Sequence, residues 1–460
     1  MNRTMKTKNI LVSLLLLVGF TAWGQQVPKG DVLFKGGTVL TVTNGTLENT
    51  DVLVRDGKIA RIGKGLRAPN GVETIDITGK YLMPGIIDAH SHIAGSAINE
   101  GTSQVTSEVS MEDVVDPYDV SIYRALAGGV TSIHLMHGSA NVIGGQNETM
   151  KLRWGLTDPD QLRFEGAPRT IKFALGENPT RGGRARGIQP QSRMGVENML
   201  RTSFQQAVEY KKKWEAYRAD KNPRKVAPEY DLRLQTLVDI LNGDVLVHCH
   251  SYRADEIYML LKVFSDFGIP KITFQHANEA YKVAPELAAF GASASVFADW
   301  WAYKLEVYYS TAYNAAILTE NGVLTSINSD SGELIRHLFH EAAKTQKYGD
   351  LSDDEALALI TLNPAKQLGI DNRVGSIEVG KDADIAIFEG HPLSVYAIPQ
   401  MTFVDGVKYF DKANDKADQR IYVDPESSIE KITIFDREDQ HRCMEGANFI
   451  NFEDLFSNQK

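Results

Sequence analysis

Short alternating runs of apolar and polar residues open the chain. Val32-Leu33-Phe34, Gly37-Thr38-Val39-Leu40, Asp51-Val52-Leu53-Val54 and Ile59-Ala60-Arg61-Ile62 are punctuated by the turn formers Lys35-Gly36-Gly37 and Asp56-Gly57-Lys58. Period-two alternation broken by such turns predicts antiparallel hairpins. A second patch of the same kind stands near the other end, at Gly375-Ser376-Ile377, Ala383-Asp384-Ile385-Ala386-Ile387-Phe388 and Met401-Thr402-Phe403-Val404. Between the patches the period changes. Apolar strand candidates at residues 85–89, 130–135, 170–175, 245–248, 272–275, 292–297 and 324–328 alternate with helical stretches such as 117–127, 194–219, 253–267 and 334–347. Repeated βα units of this number predict a parallel sheet closed as a barrel, with the two flanking patches meeting in one small β domain. Pro84-Gly85 is the expected exit into the first barrel strand.

The amino terminus has its own signature. Arg3, Lys6 and Lys8 precede an apolar run from Ile10 to Phe20, and Ala22 and Gly24 put small residues before a cut ahead of Gln25. This is the pattern of a secretory signal peptide over residues 1–24, and the run is shorter than the roughly 20 apolar residues a membrane span needs. The expectation is an exported chain, periplasmic or secreted, with no stable membrane anchor after cleavage. Removing that segment takes three positive charges away from a chain of 460 residues whose net charge is already −10. An acidic balance without a basic stripe excludes nucleic acid as the main partner. With 43% hydrophobic residues the chain has material for a large core, and two cysteines exclude a disulfide framework.

The ends of the barrel strands carry the chemistry, because a barrel of this kind places its site at the C-terminal ends of its strands. The first ends Asp88-Ala89-His90-Ser91-His92, with histidines at i and i+2 on one face. Val247-His248-Cys249-His250 ends another, Phe274-Gln275-His276 a third, and Ile327-Asn328-Ser329-Asp330 the last. Four apolar runs that each terminate in a metal-competent residue point to a metal site rather than to isolated core histidines.

These motifs resemble the metal-dependent amidohydrolase superfamily, and within it the imidazolonepropionase-like branch that includes Xaa-Arg and Xaa-Pro dipeptidases. The likeness runs from about Asp31 to Asp411. It is carried by residues 79–92 (Gly-Lys-Tyr-Leu-Met-Pro-Gly-Ile-Ile-Asp-Ala-His-Ser-His), by Asn363-Pro364-Ala365-Lys366 and by Gly375-Ser376-Ile377-Glu378-Val379-Gly380-Lys381-Asp382-Ala383-Asp384. The resemblance implies an α/β fold, a distorted (β/α)8 TIM barrel over residues 84–372. A small β-sandwich from residues 25–83 and 373–421 would accompany it, followed by a tail, 422–460, with no assigned role. It implies two divalent metal ions, zinc by choice. His90 and His92 would hold the buried metal, His248 and His276 the more exposed one, and Asp330 would bind the buried metal and carry protons. For the bridging ligand, Glu177 at a strand tip is preferred over Lys172, which lies deeper and would need its long side chain plus an added CO₂; their opposite parity should keep a regular strand from presenting both inward.

The activity expected is hydrolysis of a C–N bond in an amide, cyclic amide or dipeptide, with a small-molecule substrate and the oligomeric state open. A lactonase or esterase on the same metals is the alternative, and a silent metal-stabilised binding protein is the third reading. His250, Tyr252, Arg253 and Arg181 are candidate substrate contacts, Arg181 in a mobile Gly-Arg loop at the barrel mouth. Asp299-Trp300-Trp301-Ala302-Tyr303 offers an aromatic wall. His134, His337, His340 and Cys249 are expected to be structural, and His137 lies at the rim.

Overall fold

A computed structural model describes residues 27–300 and 303–415. The signal segment 1–24, the tail 422–460 and Trp301 of the aromatic wall lie outside the described residues. The amino-terminal patch forms β1 (Val32–Leu40), β2 (Thr46–Arg55), β3 (Lys58–Gly63), β4 (Glu73–Asp76) and β5 (Lys80–Pro84). Eight barrel strands follow: β6 (Ile86–Ser91), β7 (Val130–Leu135), β8 (Ile143–Lys151), β9 (Arg169–Ala174), β10 (Val245–Ser251), β11 (Ile272–His276), β12 (Ser293–Val296) and β13 (Leu324–Ile327). The last patch supplies β14 (Ile385–Glu389), β15 (Ile398–Val404) and β16 (Val407–Asp411).

β14 pairs antiparallel with β5, so the two ends of the chain share one sheet, ordered β16-β15-β14-β5-β1-β2-β3 with β4 beside β1. The barrel sheet runs in the order β13 to β6 and closes nearly on itself, and the Asp330 amide donates to the His90 carbonyl across the seam at 3.1 Å. The architecture is a distorted TIM barrel with a β-rich companion. Gly85 is the hinge between the two sheets. A Cβ there would stand 2.1 Å from Thr131 Oγ1, so no side chain fits.

The pattern reading missed one barrel strand. β8 begins Ile143-Gly144-Gly145-Gln146-Asn147, too polar and glycine-rich to register as a buried run, and it lies antiparallel to both β7 and β9. A strand that returns at once needs no crossover helix, and the connection from β7 is a short loop. Elsewhere helices complete the units. α1 (Val120–Ala127) follows β6, and α2 (Glu177–Arg186), α3 (Arg193–Ala219) and α4 (Leu232–Asn242) lie between β9 and β10; α5 (Ala254–Phe267) follows β10. α4 starts where the Asp231 side chain accepts from the Leu234 amide and stops at Gly243 in the left-handed region, the ordinary N-cap and C-cap chemistry.

A buried charge cluster joins the two parts. Lys151, at the end of β8 with no exposure, lies 2.8 Å from Asp382 and Asp405 and 3.1 Å from Asp384. Arg153 adds a 2.7 Å contact to Asp405. The partners are more than two hundred residues apart in sequence, so the cluster forms only once the barrel and the β-rich part have docked.

Candidate metal centre

Five side chains meet at the barrel mouth. His90 and His92 leave β6 with ring centroids 5.1 Å apart, and His276 packs its ring 4.6 Å from that of His90. Asp330, after β13, presents Oδ1 at 3.4 Å from His90 Nε2 and 3.2 Å from His92 Nε2, and Oδ2 at 3.5 Å from His276 Nε2. His250 stands 4.9 Å from His276, ring to ring. His276 and Asp330 both occupy the left-handed region, with φ of 65° and 45°. That conformation is strained for side-chain-bearing residues and collects at functional sites. At His276 it has a visible result: Gln275 and His276 are consecutive yet both face the barrel interior, which a regular strand forbids.

Lys172 enters the same cluster from β9. It is buried, aligned with His248 across the strand pair, and its Nζ lies 3.1 Å from His90 Nε2. Glu177 does not join it. It heads α2, and its carboxylate faces Arg181 at 3.5 Å and Lys304 at 3.6 Å. Of the two candidate bridges, it is Lys172 and not Glu177 that stands in this cluster. The strand parity turns Lys172 inward, and its four-carbon stem supplies the reach.

The two histidines of β10 stand at different heights in the barrel. His248 lies deeper, its ring 4.5 Å from His134 and its Nδ1 bonded to Gln275 Nε2 at 2.9 Å. His250, one pleat nearer the mouth, faces His276, and the Nε2 atoms of both His248 and His250 are buried with no hydrogen-bond partner among the described residues. Height along the strand decides this, and residue type alone does not reveal it. Gln275 itself was missed at the sequence level. The signal was present as a polar side chain at an inward position of an otherwise apolar strand.

Other candidates scatter. Tyr252 is buried at the site, with its ring stacked on His276 at 5.5 Å and edge-on to His250 at 4.7 Å. Lys304, unremarked in the sequence, holds its ammonium 4.2 Å over the Tyr252 ring and accepts no solvent-facing role, being bonded to Asn178 Oδ1 at 3.0 Å. Phe297 and Trp300 continue the stack from His276, at 4.8 Å and then 4.7 Å. Arg253 pairs with Asp255 at 2.9 Å and lines a side cavity of about 450 Å³ with Glu177, Arg193 and Glu306. Arg181 belongs to helix α2 instead of a loop and turns to Glu177. His134 bonds Thr170 Oγ1 at 2.7 Å, and His137 Nε2 accepts from the Glu100 amide at 2.9 Å. A larger cavity of about 750 Å³, lined by Thr149, Arg153, Arg163 and Arg169 at the start of β9, contains no histidine. It lies away from the strand ends that carry the metal-competent groups.

Burial keeps these imidazoles neutral. It pushes His90, His248 and His250 well below the usual histidine range and His276 down to about 3. Burial acts on Asp330 in the opposite sense, but His276, His92 and Lys172 outweigh it and the carboxyl is held below its ordinary value. Hydrogen bonds then fix which nitrogens are available. His90 Nδ1 donates to Gln275 Oε1 at 3.1 Å and His92 Nδ1 to the Met136 carbonyl at 2.9 Å. Each ring thus turns the Nε2 lone pair towards Asp330 Oδ1, which is buried and has no hydrogen-bond partner among the described residues. His276 Nε2 is equally unmatched. The donor atoms of His90, His276 and Asp330 fall within 4.8 Å of one another in this buried pocket, a spacing that one divalent ion can span. The residues present fit a divalent metal.

Likeness to known proteins agrees with this chemistry. Residues 306–412 match the model of the Amidohydrolase family. The chain is 31% identical over 420 residues to amidohydrolase tasK of Hapsidospora irregularis, covering 84% of this chain and 42% of that protein. It thus spans less than half of that curated relative. An adenine deaminase of Methanococcoides burtonii is 24% identical over 394 residues, covering 83% of this chain and 60% of that protein. Among solved structures, an amidohydrolase from Thermotoga maritima MSB8 superposes with a TM-score of 0.77 at 34% identity, over 83% of this chain and 100% of that one. A likeness that takes in the whole of a solved amidohydrolase, joined to donors at the same barrel mouth, makes this chain a member of the metal-dependent amidohydrolase family.

Proposed function

We propose that the protein is a dinuclear metal-dependent hydrolase that cleaves a C–N bond in an amide, cyclic amide or dipeptide. His90, His92 and Asp330 would hold one metal and His250 and His276 the other. Lys172, as a carbamate formed with CO₂, would bridge them. The observation that carries this reading is the convergence of His90, His92, His276 and Asp330 in one buried pocket, the histidine Nε2 atoms 3.2 to 3.5 Å from the Asp330 carboxylate. An ammonium on Lys172 would oppose a nearby cation, whereas a carbamate reverses its charge and supplies two more oxygens. Imidazole, carboxylate and carbamate donors suit zinc.

Bound there, divalent ions would supply a water acidified towards neutral pH and an electrophile for the scissile carbonyl. Asp330 Oδ1 is placed to accept a proton at the cluster and to return it to a leaving nitrogen. Tyr252, Phe297 and Trp300 form an apolar wall beside His276 that orients a substrate and excludes water. The name of the adenine deaminase relative supports adding an exocyclic amine on a purine ring to the bonds to be tried. The basic, apolar and small-residue order of residues 1–24 supports export; amino-terminal sequencing of the mature protein, beginning at Gln25, would bear on it.

The test is metal content followed by a substrate panel. Purified protein should carry close to two equivalents, and a folded protein that binds none removes the proposal. Dipeptides, N-acyl amino acids, cyclic amides and aminopurines should include the substrate. Turnover confined to lactones would move the assignment to an esterase on the same site.

A further inference from the structure

The two histidines of β10 are chemically alike, and something must decide which one is a ligand. We infer that Gln275 makes this choice, by forcing opposite tautomers on His90 and His248. The inference rests on the proposed metal centre and adds a positioning residue to it.

A primary amide has one accepting oxygen and one donating nitrogen. Gln275 is fully buried and spans the barrel between β6 and β10. Its Oε1 lies 3.1 Å from His90 Nδ1, and its Nε2 lies 2.9 Å from His248 Nδ1 and 3.4 Å from the Ala89 carbonyl. His90 must then carry its proton on Nδ1 and keep the Nε2 lone pair. His248 must accept at Nδ1 and carry its proton on Nε2, where no lone pair is left for a metal.

The amide cannot turn over without conflict. Reversed, its oxygen would face the Ala89 carbonyl oxygen, and in the metal-free protein His90 would carry its proton on Nε2, against the unmodified Lys172 ammonium at 3.1 Å. Two neighbours on different strands therefore fix the orientation that the amide alone leaves free. His248 is excluded, and its ring packs on His134 beneath the site at 4.5 Å. The Nε2 atoms of His248 and His250 both lack a hydrogen-bond partner among the described residues, but it is His250 that faces His276, ring to ring at 4.9 Å, and it is left as the ligand of β10.

Two-bond ¹H–¹⁵N spectra of histidine-labelled protein read the tautomers directly, with assignments from His90→Gln and His248→Gln. Metal-free wild type should show His90 protonated at Nδ1 and His248 at Nε2. Zinc affinity, measured by competition with a chromophoric chelator, should fall about 10- to 100-fold in Gln275→Leu. Gln275→Glu offers two accepting oxygens, so it should restore zinc affinity to within about threefold of wild type and move His248 to the Nδ1–H tautomer. If both histidines share one tautomer in wild type, or Gln275→Leu binds zinc as tightly as wild type, the inference is wrong. Wild type that binds no zinc would instead overturn the metal centre, and the spectrum would still judge Gln275. Should the leucine variant not fold, the wild-type spectrum and the glutamate variant decide the matter.

Discussion

Lys172 Nζ lies 3.1 Å from His90 Nε2, although one residue belongs to β9 and the other to β6 on the far side of the barrel. An amine at that distance from His90 is informative because its charge depends on modification. In the proposed centre an ammonium there would compete with a metal, and a carbamate would hold one.

Protein loaded with zinc in carbonate-free buffer should therefore bind less than two equivalents, and added bicarbonate should raise the content. Lys172→Ala should show no response to bicarbonate and lose turnover by about a hundredfold or more, the scale on which metal-site support matters. Equal zinc content with and without bicarbonate in wild type would count against the bridge.

Asp330→Asn preserves shape but removes the proton acceptor. Turnover should fall about 10²- to 10⁴-fold, the range for a general acid–base group, while circular dichroism stays unchanged. A variant with near-normal kcat would assign the proton transfer to another group.

Removal of metal by a chelator should lower the Tm, because a ligand that binds the folded state alone adds its binding free energy to stability. A ligand present at a thousand times its Kd contributes about 4 kcal/mol. Zinc should restore the Tm in wild type, and His90→Ala should blunt the restoration.

Lys151 is the only described cation with a side-chain exposure of zero that contacts Asp382, Asp384 and Asp405 together. Lys151→Met would leave three buried carboxylates facing one another, and should destabilise by about 3–5 kcal/mol in urea unfolding. A change below about 1 kcal/mol would mean that the carboxylates find other compensation.

The same cluster sets an acid limit. Burial alone would raise the Asp382 carboxyl, but Lys151, with Lys58 and Arg373, holds it down to about 2. Its folded value is below the unfolded one of about 3.9, so its contribution is complete above that pH and is lost as pH falls through about 2. Urea midpoints measured between pH 5 and 2 should decline through this window, and Asp382→Asn should flatten the decline.

Much of this was legible in the chain. Apolar runs ending in His90, His92, His276 and Asp330 announced both a barrel and a metal-competent mouth, because burial and strand direction act through local pattern. The polar, glycine-rich β8 was not legible, since its pairing is supplied by neighbours and not by its own hydrophobicity. Nor was the choice among alike donors. Whether Lys172 or Glu177, and His250 or His248, reaches the cluster depends on height along a strand, on a left-handed turn at His276 and on one amide wedged between two rings. The opening alternation of apolar and polar residues thus determined which faces are buried. Only the closed barrel decided which atoms converge, because convergence is a relation between strands that no single segment encodes.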